Sequence, residues 1–596
     1  MIELGVSINM RISILLSLIL IVTMDSMAQS TNREMTKSSF KAIGAPNNPK
    51  VEIAWNRYYD WKEIGDICQR LTDAHPDLIQ HSSIGKSVEK RAIHLLTVTN
   101  FKKGDANRKP AMYIDGNIHS NELQGAEVCL YTAWFLAENY GKVNWITGLL
   151  DNKTFYIVPT INPDARDYYI HQPNTPHSPR SGMLPRDDDG DGLFDEDGFD
   201  DLDGDGNIVM MRRANPRGRW KDDPKDPRLM IQVEPDETGD YEFVGWEGFD
   251  NDGDGRINED RPGFYDPNRN WGWNWQPDYI QYGSDQYPFC LPETRAVADF
   301  VLNNPNIGAA QSYHNSGGMI LRGPGSEGDQ ATYNREDVQK YDFLGKLGEE
   351  MLPGYRYLVL YKDLYAAVGG ELDWFYGGRG IYTFTNELWS SFDYFRKTEK
   401  EDQSWFGRRA DVYRFDKLLL FGEGIVPWKK IKHPQFGEIE IGGIKKAWTR
   451  TAPSFMIEDM CHRNMAFTLF HAYHLPVLSI ASKKVANLPD GLKQVDIVIF
   501  NERVLPSRSA HEVANKITRP DIASIRGDNM KVIGGFIVRD PFLNIADEQK
   551  YHPENLKIDT IDGMSELHLR WIVSGKAPFQ ITIDSNKGGL YKSTIQ

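Results

Sequence analysis

Between residue 51 and about residue 476, short apolar runs alternate with stretches of helical periodicity. Runs at 111–118, 154–160, 309–313 and 380–388 have strand length and composition. The 122–140 stretch places Leu123, Ala126, Leu130 and Phe135 at near-helical spacing, and 456–473 reads as a closing helix. A chain of this pattern buries its strands in one sheet and covers the sheet with helices. The expected fold is therefore α/β, a mixed β-sheet flanked by helices. From residue 477 the texture changes to short β-rich runs at 495–500, 531–538, 566–573 and 579–584, separated by turn residues. That pattern predicts a β-sandwich-like module over 477–596.

The start of the chain reads as an export signal over residues 1–28. Arg11 precedes an apolar run at 12–22, and Ser26-Met27-Ala28 supplies a small-x-small cleavage pattern. The run is too short to span a bilayer. Residues 29–50 are polar and read as a linker, and no later segment has transmembrane length. A secreted or periplasmic protein without a membrane span is expected. Its four cysteines, Cys68, Cys129, Cys290 and Cys461, are compatible with two disulfides or with buried free thiols.

The net charge is −16, which argues against a nucleic-acid partner. The acidity is local: 187–205 holds eleven carboxylates and 250–260 holds five, together equal to the net excess. Asp187, Asp189 and Asp191 alternate and are followed by Gly192, Asp195 and Asp197. The frame recurs at Asp250, Asp252, Asp254, Gly255, Asn258 and Asp260. A further copy, Asp201, Asp203, Asp205 and Gly206, lacks closing acids. Alternate carboxylates converge on a hard cation, and the glycine permits the turn that returns later ligands to it. These loops resemble the short calcium loops of thrombospondin-type and dockerin modules. They predict two or three structural calcium ions in an insertion at about 180–262.

His119 and Glu122 stand three apart where a strand turns into a helix, so both can face the strand's C-terminal end. An imidazole and a carboxylate so placed suit zinc, and His314, just after another apolar strand, is the candidate third ligand. The segment LYAAVGGELDWFYGGRGIYTFTNEL at 364–388 completes the set. With the HxxE turn, the Asn162-Pro163-Asp164 turn, the Asn268-Arg269 pair and the Tyr313-His314 strand end, it resembles the zinc carboxypeptidase family, the carboxypeptidase A/B type.

That resemblance implies one catalytic zinc on His119, Glu122 and His314, with Glu387 as general base and then acid. It gives Asn268 and Arg269 the grip on a substrate's terminal carboxylate, and makes Tyr365 the mobile tyrosine that closes over it. Arg212, or its neighbour Arg213, is the expected oxyanion arginine. Leu372 stands where the family's specificity pocket has its floor, which implies apolar C-terminal side chains. The implied substrates are peptide or protein C-termini. An amidase acting on cell-wall peptides and a non-catalytic calcium-dependent binding protein are the alternative readings.

Overall fold

The computed structural model describes residues 43–224, 226–390, 392–396 and 409–596. The expected signal peptide and the first part of the linker lie outside them. Residues 53–596 form one compact unit.

Its centre is an eight-stranded sheet in the order Ile79–Lys86, Ala92–Val98, Thr154–Val158, Ala111–Gly116, Ile307–Asn315, Tyr382–Leu388, Met319–Arg322, Arg356–Val359. The four strands from Thr154–Val158 to Tyr382–Leu388 run parallel, and antiparallel pairs flank them. The middle strands are buried along their whole length, as sheets covered on both faces require. Helices Gln124–Asn139, Pro292–Asn303, Arg335–Met351 and Ile457–Tyr473 supply the covers. The mixed sheet and its flanking helices agree with the sequence expectation, and strand and helix ends move by a few residues.

The Gln124–Asn139 helix lies so close to the sheet that glycines meet at the crossing. A Cβ on Gly116 would come within 2.7 Å of the Gly125 carbonyl carbon, and one on Gly125 within 3.0 Å of the Tyr313 oxygen. This close approach sets the turn between residues 116 and 124.

The acidic insertion is not self-contained. Its strands Met210–Gly218, Trp220–Asp223, Asp226–Gln232 and Gly239–Trp246 join the hairpin Ile425–His433/Gly437–Ile444 in one six-stranded sheet. That hairpin comes from beyond the Tyr382–Leu388 strand, and the sequence reading did not mark it. Past residue 477, a five-stranded and a four-stranded antiparallel sheet enclose an apolar core around Trp571, Ile497, Ile525 and Ile583. The short helix Ala510–Asn515 docks this module on the first sheet's periphery, with the Ala510 and His511 N–H groups donating to Asp337. All four cysteines are free thiols. Among the described residues no helix is long and apolar enough to cross a membrane.

Gly116→Ala is expected to force the covering helix outward and cost about 1–3 kcal/mol. A thermal melt of the variant should show a lower midpoint; an unchanged midpoint would mean that the glycine contact is not needed.

Candidate metal centre

The site lies at the C-terminal ends of the parallel strands, where open α/β sheets place their ligands. Asn117, in a left-handed conformation (φ 57°), ends the first of these strands. Its side-chain amide donates to the carbonyls of His119 (2.7 Å), Ser120 (3.2 Å) and Glu122 (3.2 Å), which folds the turn around it. Arg166 donates to the Asn117 side-chain oxygen and the Leu123 carbonyl from behind, and is itself paired with buried Glu127 at 2.7 Å. His119 and Glu122 are thereby turned toward His314, two strands of the sheet meeting at one point.

There the Nδ1 atoms of His119 and His314 and Oε2 of Glu122 form a near-equilateral triangle with sides of 3.0–3.1 Å. All three residues are buried. Nε2 of His119 lies 2.8 Å from Oδ1 of Asp266. That carboxylate accepts a hydrogen bond from the Nε2–H, which leaves Nδ1 unprotonated and facing the other two donors. Three lone-pair donors this close, in the dark of a core, are what a tetrahedral zinc gathers: ligands at its usual bond length stand about 3.3 Å apart. The residues present fit the ion.

Charge around the triangle is compensated on the outer side. Oε1 of Glu122 accepts from Arg180 Nη1 at 2.5 Å and from Arg450 Nη2 at 2.7 Å. Burial opposes ionisation of Glu122, but His119 and Arg180 hold it well below the usual carboxylate range. Asp266 is held low in the same way, against burial, by His119, Arg269 and Arg180. Glu387 behaves oppositely. It sits beside His314 in the parallel register of Tyr382–Leu388 and Ile307–Asn315. Burial, and then the charge of Glu122, push its carboxyl up to about 7, with His314, Arg450 and Arg180 pulling the other way.

Asn268 and Arg269 sit on the single turn Pro267–Arg269, directly after Asp266. The Asn268 side-chain oxygen accepts from the Glu371 N–H at 2.8 Å, and Arg269 lies 3.8 Å from Asp266. Tyr365 is half exposed. Leu372 is buried among Met319 and Leu321 in a packed apolar cluster. Beside it in sequence, Glu371 reaches a buried acid pair with Asp115, and the Ser312 hydroxyl contacts both at 3.0 and 2.7 Å. Burial and the Asp115 charge drive the Glu371 carboxyl well up, so it carries the pair's proton. Trp271 is fully buried against Phe289, Trp374 and Phe375, a packing role.

Arg212 is not brought to the site. Its guanidinium is sandwiched between Tyr241 and Trp428, 3.7 and 3.9 Å from the ring centroids, and bonds to Glu440 and Asp222 in the six-stranded sheet. Arg213 pairs with Glu242 on the same sheet. Two other arginines reach the triangle: Arg450, and Arg180 on the 176–181 segment, which the Ser120 hydroxyl anchors through the Pro179 carbonyl at 2.6 Å. Asp266, Arg180 and Arg450 were missed in the sequence. Asp266 had a signal, standing next to the Asn-Arg pair; Arg180 and Arg450 had none.

The acidic loops do repeat in structure. The first Asp of each frame caps the glycine turn: Asp187 accepts from Gly190 and Gly192, Asp201 from Gly204 and Gly206, Asp250 from Gly253 and Gly255. Carboxylate oxygens gather in four groups among the described residues. These are Asp187–Asp189–Asp191; Asp189–Glu196–Asp260; Asp189–Asp252–Asp254–Glu259; and Asp201–Asp203–Glu247. Asp195, Asp197, Asp205 and Asp250 do not join these groups. Asp197 instead accepts from the Asn258 N–H and the Asn251 amide, and the Asn258 side chain donates to the Trp246 carbonyl. Glu196, Glu247 and Glu259 are the ligands in reach that the frame did not reveal.

An α/β sheet with two histidines and a glutamate converging at its strand ends is the architecture of a metal-dependent hydrolase. Residues 64–187 and 241–404 match the zinc carboxypeptidase family, a family of peptide hydrolases, and over this region the chain belongs to it. Residues 477–596 match a domain of unknown function, DUF8731. Carboxypeptidase B2 of Rattus norvegicus is 36% identical over 115 residues, 19% of this chain and 26% of that protein. Carboxypeptidase D of Homo sapiens is 30% identical over 131 residues, 22% of this chain and 10% of that one. The chain thus spans about a quarter of the length of the carboxypeptidase B2 sequences it matches. Among solved structures, thrombin activatable fibrinolysis inhibitor matches with a TM-score of 0.41 and 20% identity, covering 70% of this chain and 77% of that one. Murein-tripeptide amidase MpaA from Escherichia coli O157 matches with a TM-score of 0.20 and 11% identity, covering 52% and 88%.

Asp266→Asn is expected to weaken zinc retention by about 10–100-fold, the usual effect of losing a ligand's hydrogen-bonding carboxylate. Competition against a chromogenic chelator measures it; wild-type retention would show that Asp266 does not orient His119.

Proposed function

We propose that the protein is a secreted zinc metallocarboxypeptidase that hydrolyses the last peptide bond of peptide or protein C-termini. The observation that carries the reading is the buried His119–Glu122–His314 triangle with Glu387 beside it in register. Zinc held by these three residues would supply a Lewis acid for the scissile carbonyl and acidify an attacking water.

The chain's own groups divide the remaining work. Glu387, raised to about 7, is poised to take a proton from the attacking water and return it to the leaving amine. Arg180, in the place expected of Arg212, offers a guanidinium to the oxygen that gains charge as the carbonyl is attacked. Asn268 and Arg269 bind the terminal carboxylate, the guanidinium fork matching it in two hydrogen bonds. Tyr365, on an exposed segment, closes over it. Leu372 favours an apolar terminal side chain. A peptide-library digest read by mass spectrometry checks the preference, and a preference for basic termini would remove Leu372 from that role.

Glu387→Gln is expected to keep zinc and lose about 10²–10⁴-fold in kcat, while His314→Ala loses zinc itself. Metal analysis beside kinetics on a C-terminally unblocked peptide checks both. Near wild-type kcat in the zinc-loaded Gln variant would remove Glu387 from the role of base.

The acidic loops bind calcium in this reading, two or three ions that act on stability. Their clustered carboxylates repel one another unless a cation joins them. Removing calcium with a selective chelator should lower the melting temperature, and readdition should restore it. A melt indifferent to calcium would reduce the loops to solvated acid.

A further inference from the structure

The middle loop is short of ligands in its own sequence. After Asp201, Asp203 and Asp205 the frame runs into Asn207, Ile208 and Val209, with no closing acid. The fold supplies one from the far end of the insertion. Glu247 follows the Gly239–Trp246 strand and is fully buried, at 0% exposure. Its N–H donates to the Val209 carbonyl at 3.0 Å, and its Oε2 accepts from the Val209 N–H at 2.9 Å. This clamp fixes the carboxyl and leaves Oε1 buried with no partner. One oxygen each from Asp201, Asp203 and Glu247 lies within 4.8 Å of the others.

A buried carboxylate oxygen without a donor is costly, and the neighbouring acids raise that cost. Burial, followed by the charges of Asp203, Asp201 and Asp205, pushes the Glu247 carboxyl up to about 8. Two ammonium groups face these acids among the described residues: Lys429, from the Ile425–His433 strand, meets Asp203, and Lys446 lies close enough to interact with Asp201. The Lys429 side chain is 45% exposed, and each ammonium brings one positive charge to the group of Asp201, Asp203, Asp205 and Glu247. Two ammonium groups do not balance four acids.

We propose that Asp201, Asp203 and Glu247 form a divalent-cation site, suited to calcium by its all-oxygen ligands. It rests on the reading that these loops bind calcium and goes beyond it: the closing ligand lies outside the repeat, just past the end of another strand. The ion ties the loop to the root of the six-stranded sheet. The same loop holds the segment that leads to the zinc site. The Asn207 side-chain oxygen accepts from the Lys446 N–H at 3.1 Å, and Arg450, four residues on, donates to Glu122 at 2.7 Å.

The test is calorimetric titration of the full-length, calcium-stripped, zinc-loaded protein with calcium chloride. Glu247→Gln should bind one calcium equivalent fewer than wild type with zinc content unchanged. Asp252→Asn, in a different group, should lose a separate equivalent, so that the double variant loses both. Lys429→Met, a surface change, should keep the equivalent and bind it severalfold more tightly, because a competing ammonium is gone. Wild-type stoichiometry in Glu247→Gln, or unchanged affinity in Lys429→Met, overturns this site while leaving calcium at the other loops intact. A wild type that takes up no calcium overturns the site together with the reading of the loops.

Discussion

Everything near the centre of this molecule answers to one unfavourable meeting. Two buried imidazole nitrogens and a buried carboxylate oxygen point at one another across 3.0–3.1 Å. Such a meeting persists only where the surroundings over-determine it. Asn117 and Arg166 lock the turn, Asp266 fixes the His119 tautomer, and Arg180 and Arg450 hold the outer oxygen of Glu122. The glycine contact between sheet and covering helix holds the frame on which these groups stand. Each device is local, yet they come from five separate stretches of chain. The site therefore reports the whole fold rather than a motif.

Much of this was legible in the sequence because the α/β core obeys local rules. Buried parallel strands read as apolar runs, and helices such as Ile457–Tyr473 show their period. His119, Glu122, His314 and Glu387 carry recognisable neighbours, and the structure brings them together. The failure at Arg212 has a physical cause. An arginine beside an apolar pair looks like a site residue, but here its strand belongs to a second sheet, where Tyr241 and Trp428 cover both guanidinium faces. The residue that does the facing, Arg180, follows a stretch with no periodicity, and its position depends on the Ser120–Pro179 contact across the fold. No pattern along the chain encodes such a contact. The same holds for the insertion: a frame of alternate acids fixes the turn, but the partners Glu196, Glu247 and Glu259 are set by how three loops and a sheet pack.

Arg450 shows how far the site extends beyond the family match, which ends at residue 404. Its guanidinium bridges the Glu122 carboxylate and the Asn315 carbonyl at 2.7 Å each, joining the two strands that bear the triangle. The Gln124 and Asn315 side-chain amides donate to its own carbonyl at 3.1 and 3.2 Å, so backbone and side chain are both fixed. A second arginine on the metal-facing carboxylate draws negative charge away from the triangle. With Arg180 it would leave Glu122 a weaker donor to zinc than an unpartnered carboxylate, and zinc so held would be the stronger Lewis acid.

The two kinds of acid cluster in this chain obey the same electrostatics with different chemistry. At the strand ends, two imidazoles and one carboxylate meet in a closed, apolar setting with bound arginines, a set that selects a borderline ion of fixed geometry. In the insertion, carboxylates stand on glycine turns beside buried acids such as Glu247, an all-oxygen set that suits a larger, harder ion. The triangle offers three donors, too few for an ion that takes six to eight oxygens, and the insertion's clusters lack the imidazoles that favour zinc. The loop that carries Asn207 lies between the two clusters, touching Lys446 on one side and, through Asp201 and Asp203, the acids on the other. A change in occupancy there would be felt first by the backbone that carries Arg450, and so by Glu122, before it reached any other part of the site.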